Sequence, residues 1–315
     1  MWTYTFRRLG LAILTLWLAS TLVFMVVLFI PGDPVATILG MDANPDVAEK
    51  LRHDLGLDRP PLERYFSWLA GVATGDLGTS IRYGISVGGL ILKSLTLTLP
   101  IVLLSLMLAT VIAVPLGILA ARRAGGALDF AASLFALLGL ALPSFWVGLM
   151  FIYLFAVNLG WLPSNGFPQK GWADPLNALK YLALPVLTIG LARSALLTRM
   201  VRGSLLEVLS QDYVRTARGK GLSERVVVNK HALKNAALPV VTVLGLEFAQ
   251  LLIAAVVVEQ VFGLPGLGSL ALTGIQARDY PLVQGVVLVL AMFIVALNLV
   301  VDLLYGYLDP RVSYG

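Results

Sequence analysis

The sequence predicts an all-α fold, a polytopic transmembrane helical bundle of six spans with N- and C-termini cytoplasmic. Three observations carry that prediction. The 315 residues are 58% hydrophobic and only 13% charged, with mean hydropathy +0.86, which is more apolar surface than one water-soluble core of this length can hide. Six segments, 9–30, 95–121, 129–157, 179–200, 238–262 and 283–307, are apolar over the roughly 20 residues a helix needs to cross a hydrocarbon core. Lys and Arg, finally, are divided unevenly between the connections.

That division sets the orientation. Arg7, Arg8, Arg122, Arg123, Arg311 and seven residues within 201–237 fall on one side, twelve in all, against eight on the other. Six of those eight lie in the long 31–94 segment, and long segments translocate largely regardless of charge. The short connections therefore put the basic side, and both termini, in the cytoplasm.

The first span follows Arg7 and Arg8 directly. It is longer than the apolar core of a secretory signal and has no small-x-small cleavage site, so it reads as a retained anchor. The segment 31–94 is the one sizeable extracytoplasmic piece. Val47, Leu51 and Leu55 recur at helical spacing, as do Leu62, Phe66 and Leu69, so two short amphipathic helices are expected, separated by Pro- and Gly-rich turns. No internal repeat or low-complexity run divides the chain, and 1–315 reads as a single integral membrane domain.

Pro100, Pro115, Pro143 and Pro185 fall in or near spans. Each deletes a backbone hydrogen bond and is expected to invite a kink. The glycine-rich run FGLPGLG between the last two spans reads as an extracytoplasmic turn, with Pro265, Gly266 and Gly268 expected to form a gate.

The densest basic stretch is DYVRTARGKGLSERVVVNKHALKNAALP, residues 212–239. Ser210 and Asp212 are expected N-caps of a helix from Tyr213 to Lys220, and Gly221 followed by Leu222 has the pattern of a left-handed helix stop with its hydrophobic follower. Ser223 offers a second N-cap, and Glu224 favours the positive end of the helix that follows. The cytoplasmic loop 201–237 is thus expected to be two short capped helices. Such a loop either anchors orientation or receives a push from a soluble partner.

Chemistry of other kinds is excluded by what the sequence lacks. There are no cysteines and two histidines, His53 and His231, which this topology puts on opposite sides, so no Ser/His/acid set or metal cluster is expected and no catalytic residue is assigned. A phosphate-cradling G-x-x-x-x-G-K-[ST] loop is also missing. At Gly219–Lys220 the first glycine position holds Val214 and the Ser/Thr position holds Gly221. The net charge of +5 is carried mostly by residues flanking spans, which leaves no basis for nucleic-acid binding.

Ionisable residues inside spans are costly and functional by default. Glu247 and Gln250 share one helical face, which either lines a translocation path or makes a buried interhelical hydrogen bond. Arg193 and Arg199 are expected to snorkel to the cytoplasmic surface, Glu259 to reach headgroup water at the opposite end, and Asp302 to satisfy a helix terminus or a Ser/Tyr neighbour.

The loop YVRTARGKGLS…HALKNAALP resembles the cytoplasmic signature of permease subunits of binding-protein-dependent ATP-binding-cassette importers. Arg215, Thr216 and Ala217 stand at the Glu-Ala-Ala positions, Gly221 at the glycine, and Ala236, Leu238 and Pro239 in the closing Ile-x-Leu-Pro. Arg215 in place of the acid, and the longer spacer to Leu238, are similar to the dipeptide, oligopeptide and nickel branch. The blocks PGDP (from Pro31), LGLDRP (from Leu55), GDLGTS (from Gly75), LPSFWVG (from Leu142), VFGLPGLG (from Val261), RDYP (from Arg278) and LDPR (from Leu308) are similar to that branch in the same order. The resemblance implies a multi-pass subunit of the bacterial cytoplasmic (inner) membrane. It implies a homologous second permease, two ATP-binding subunits that bind ATP and Mg, and an extracytoplasmic solute-binding protein, with no cofactor in this chain. It further implies that Tyr213, Arg215, Thr216, Ala217, Arg218, Gly221, Leu222 and Ser223 couple to an ATP-binding subunit. Dipeptide, longer peptide, glutathione and nickel chelate all stay open as cargo, peptide being favoured by family breadth. A gradient-driven secondary transporter is the alternative from another class.

Overall fold

The computed structural model describes residues 2–29, 34–39, 44–54 and 56–308. Pro31 to Asp33, Leu55 and Asp309 to Arg311, which belong to the sequence blocks above, lie outside the described residues. So do the side chains of Pro34, Leu51, Arg225, His231, Lys234, Leu238 and Asp302.

The helices, in chain order, are α1 (Trp2–Phe29), α2 (Pro34–Leu39), α3 (Pro45–Asp54), α4 (Pro61–Thr74), α5 (Val87–Arg122), α6 (Ala127–Ala141), α7 (Ser144–Phe151), α8 (Pro175–Leu209), α9 (Asp212–Gly219), α10 (Glu224–Val226), α11 (Leu233–Val261), α12 (Leu267–Gln276) and α13 (Tyr280–Leu308). Helices α3 and α4 form where the amphipathic periodicity puts them. No strand occurs among the described residues; one isolated antiparallel bridge joins Thr79 to Ser86. Two compact units result, residues 1–97 with 265–315, and residues 98–264.

In the first unit α1 packs along α13. The start of α5 meets α12 and α13 around buried Val87, Ile91, Leu267, Leu270, Leu282 and Val286. Pro265 and Gly266 form the turn that leads into α12, whereas Gly268 is buried in its first helical turn, so the expected gate segment is half turn and half helix. Helix α12 ends in a double hydrogen-bonded stop, with Arg278 N donating to Ile275 O at 3.2 Å and Asp279 N to Gly274 O at 2.9 Å. The left-handed position in that stop is held by Arg278, at φ +53°, where glycine is the usual residue.

In the second unit α6, α7 and α11 all pack on α8. The third expected span is not one helix. Helix α6 stops at Ala141, Leu142 is extended at φ −86° and ψ 128°, and α7 leaves at 100° to α6. Pro143 is the cause: it cannot donate into the helix, and it pushes the preceding residue out of the helical region. A π-helical stretch, Ile152–Asn158, follows α7 directly. Pro100, Pro115, Pro185 and Pro239, by contrast, sit inside continuous helices, because surrounding helices stabilise the freed backbone groups.

Helix α8 begins cleanly. Asp174 caps it by accepting from Asn177 N at 3.3 Å, and Pro175 occupies its first position. Its 35 residues reach about 52 Å at 1.5 Å per residue, well beyond a hydrocarbon core of about 30 Å. Close packing holds α6 to it: a Cβ on Gly139 would stand 2.3 Å from Ala195 Cβ, so only glycine lets the two backbones approach this near.

Candidate functional site

Between α8 and α11 the chain makes the short helix α9, and its two faces differ. Val214 and Ala217, three residues apart, are buried and pack with Val227 against Leu209. Tyr213, Arg215, Thr216 and Arg218 are exposed on the other face, followed by exposed Gly221, Leu222 and Ser223. Of the residues assigned from sequence to coupling, Ala217 alone faces inward, where its small side chain lets α9 lie close to the end of α8.

The helix stop is as the residues dictate. Gly221 adopts φ +78°, its N–H donates to Arg218 O at 2.9 Å, and Leu222 N–H reaches Ala217 O at 3.4 Å. These two bonds satisfy carbonyls that would otherwise end the helix unpaired. The start differs from expectation. Gln211, extended at φ −71° and ψ 149°, is the N-cap; Ser210 Oγ turns back to Glu207 O at 2.7 Å, and Asp212 lies inside the first turn, 3.6 Å from Arg215. Ser223 has cap backbone geometry but makes no side-chain cap bond. Its following helix is not short either: α10, a π-helical stretch Val227–Ala232 and α11 run without interruption from Glu224 to Val261.

Two polar clasps hold α9 in place. Arg218 grips Glu224 through Nε at 3.1 Å and Nη2 at 2.7 Å. The hydrogen bonds from Arg218 hold the Glu224 carboxyl below the usual glutamate range, and the same bonds raise Arg218. Asn235 Nδ2 donates to Tyr213 Oη at 2.8 Å, tying α9 to α11. A further clasp was not anticipated from sequence. Asp129 on α6 takes Arg202 of α8 in a two-pronged pair, with Nη2 to Oδ2 at 2.8 Å, and accepts Gly125 N at 2.9 Å. Arg202, counted above as an orientation charge, therefore also locks α6 to α8. A lone acid at the start of a span, just after Arg122 and Arg123, was the signal available.

The intramembrane acids find partners. Glu247 on α11 is buried, and its Oε2 lies 3.4 Å from Arg193 Nη1 on α8, close enough for Coulombic attraction but not aligned as a hydrogen bond. Arg193 Nη2 also donates to Gln250 O at 3.4 Å, while the Gln250 side chain is exposed. Arg193 thus turns inward to Glu247 where snorkelling was expected. Glu259 is fully buried within the chain and accepts Thr98 Oγ1 at 2.6 Å, in place of headgroup water.

In the first unit, Asp279 is fully buried. It accepts Ser80 Oγ at 2.5 Å, Arg82 N at 3.0 Å and Leu282 N at 3.2 Å, fastening the turn after α4 to the start of α13. Among the described residues no three His, Asp or Glu side chains gather as a metal site.

The helices, five long apolar ones and one bent pair, define a multi-pass membrane protein, and α9 presents an ordered polar surface at the junction of two of them. The chain belongs to the family of binding-protein-dependent transport system inner membrane components, which it matches over residues 113–314, with the N-terminal region of the same class of proteins matched over 1–84. It is a transport permease subunit. A putative peptide transport system permease protein of Brucella suis is 40% identical over 308 residues, 98% of each chain. The dipeptide transport system permease protein DppB of Alkalihalophilus pseudofirmus is 38% identical over the full length of both. In fold, the chain is similar to an inward-facing structure of the MetNI methionine transporter, with TM-score 0.55 and 20% identity, covering 70% of this chain and 96% of that one.

Proposed function

We propose that this chain is one of two permeases that form the path of an ATP-driven peptide importer in the bacterial cytoplasmic membrane, with both termini in the cytoplasm and the whole chain acting as one membrane domain. The relatives named for peptide and dipeptide transport support the cargo class. The observation that carries coupling is the two-faced α9: an inner face of Val214 and Ala217 fixed to Leu209, and an outer face of Tyr213, Arg215, Thr216 and Arg218 left exposed.

A helix seated this way transmits force well. Pressure on its outer face passes through packed side chains to α8 and, through Tyr213–Asn235 and Arg218–Glu224, to the continuous α10–α11 rod. ATP and Mg belong to two partner ATP-binding subunits, whose closure supplies the displacement. Within this chain, Arg193 and Glu247 bridge α8 and α11, and the Glu247–Gln250 face lines the path. A solute-binding protein delivers cargo at the opposite mouth, where Pro265, Gly266 and Gly268 form the gate.

The test is uptake of a labelled dipeptide by proteoliposomes holding the full complex of both permeases, the ATP-binding subunits and the binding protein. ATP-dependent uptake that resists dissipation of ion gradients is expected. Uptake that follows an ion gradient with ATP depleted would replace this reading by that of a secondary transporter.

A further inference from the structure

The first unit contains a cavity of about 380 Å³ bounded by α1, α4, the turn around Gly78 and the start of α13. Its polar lining is rich in donors: Arg59, Arg64, Ser67, Thr79, Tyr280 and Gln284, beside the Trp68 ring and with no carboxylate among the lining residues, although Arg59 lies 3.9 Å from Glu63. Two polar groups here are under-used. Trp68 Nε1 is buried without a hydrogen-bond partner. Gln284 is 7% exposed. Arg64 is half-buried and faces no carboxylate among the described residues; burial pulls its pKa below the ordinary arginine value, against a smaller opposing effect of Tyr280. Buried donors are ordinarily satisfied, and leaving them empty-handed costs free energy. Guanidinium groups, hydroxyls and an amide lining one space match an oxyanion.

Depth indicates the source of that oxyanion. Phe24 lines the cavity and lies five residues before the end of α1 at Phe29, about 7.5 Å along the helix. Phe24 also holds α4 through Tyr65 and Trp68, with ring centroids at 5.3 and 6.0 Å. Trp68 itself lines the cavity, and tryptophan is enriched at the membrane–water interface of membrane proteins. We propose that this cavity binds the phosphate of a membrane phospholipid headgroup, held by Arg64 with Arg59 and Gln284 beside the Trp68 ring, and so anchors α4 to the bilayer.

The measurement is native mass spectrometry of the full-length chain, delipidated and titrated with phosphatidylglycerol in one arm and inorganic phosphate in the other. One tightly bound lipid is expected, with Arg64→Gln weakening it at least about tenfold, the loss of a charged hydrogen bond, and Arg64→Lys recovering part. Brominated phosphatidylglycerol should quench a component of the tryptophan emission that Trp68→Phe lacks, a readout that does not require the Arg64 variant to fold. Equal lipid affinity in Arg64→Gln, or quenching unchanged by Trp68→Phe, would overturn the site. Inorganic phosphate binding as tightly as the lipid in an Arg64-dependent way would overturn the lipid assignment in favour of a soluble anion.

Discussion

Arg193 and Glu247 face each other across α8 and α11, with Nη1 3.4 Å from Oε2 and the glutamate buried. An ion pair inside a span is expensive to keep and costly to break, since removing one partner strands the other, at about 3–5 kcal/mol. Arg193→Ala is therefore expected to lower the melting temperature of the chain and to impair assembly. Glu247→Gln keeps shape and polarity and leaves Arg193, whose side chain is 25% exposed, some access to its surroundings, so it should assemble normally and slow uptake by up to about tenfold, about 1.4 kcal/mol in the rate-limiting barrier. Size-exclusion chromatography with an uptake time course separates the two; unchanged kinetics in Glu247→Gln would reduce the pair to packing.

Gly221 is the second test. At φ +78° an alanine is strained by about 1–2 kcal/mol, and proline can neither adopt that angle nor donate to Arg218 O. Gly221→Pro is expected to insert in the membrane yet abolish uptake, with Gly221→Ala intermediate. Normal uptake by the proline variant would remove α9 from the coupling route.

The Arg218–Glu224 clasp makes the loop sensitive to acid. The hydrogen bonds from Arg218 depress the Glu224 carboxyl in the folded chain, so its contribution is present above the ordinary glutamate pKa and is lost as pH falls through the depressed folded value. Hydrogen exchange of the α9 amides should accelerate only below the ordinary glutamate range, and Glu224→Gln should flatten that dependence. Identical pH profiles would mean that the clasp does not hold α9.

Arg278 occupies a left-handed position at φ +53° without glycine's freedom. Arg278→Gly is expected to stabilise the α12–α13 corner by up to about 1 kcal/mol, seen as a higher melting temperature. A lower one would show that the arginine side chain contributes more than its backbone costs.

What could be read from the sequence was local. Composition and span length announce a membrane bundle, and Gly221 announces its helix stop because the motif is contained in a few neighbouring residues. The prolines show the limit: Pro143 breaks its span by forcing Leu142 extended, yet Pro100, Pro115, Pro185 and Pro239 look alike in sequence and sit in unbroken helices. Tertiary packing decides between those outcomes. The same holds for Arg193 with Glu247, Asp129 with Arg202 and Ser80 with Asp279, whose partners lie on other helices or turns and share no period with them. The N-cap of α9 shifted to Gln211 because Ser210 spends its hydroxyl on Glu207 O.

The outer face of α9 as the docking surface for an ATP-binding subunit is tested most directly by cross-linking. The chain has no cysteine, so single cysteines at exposed Tyr213 and Arg215, at buried Val214, and at exposed Thr74 in the other unit can be placed without background. In the purified, ATPase-active complex, a short thiol-reactive photo-cross-linker should capture the ATP-binding subunit from Tyr213→Cys and Arg215→Cys, and not from Val214→Cys or Thr74→Cys. An active complex that gives no product from either α9 surface position would contradict the account, and coupling would have to run through another part of the chain.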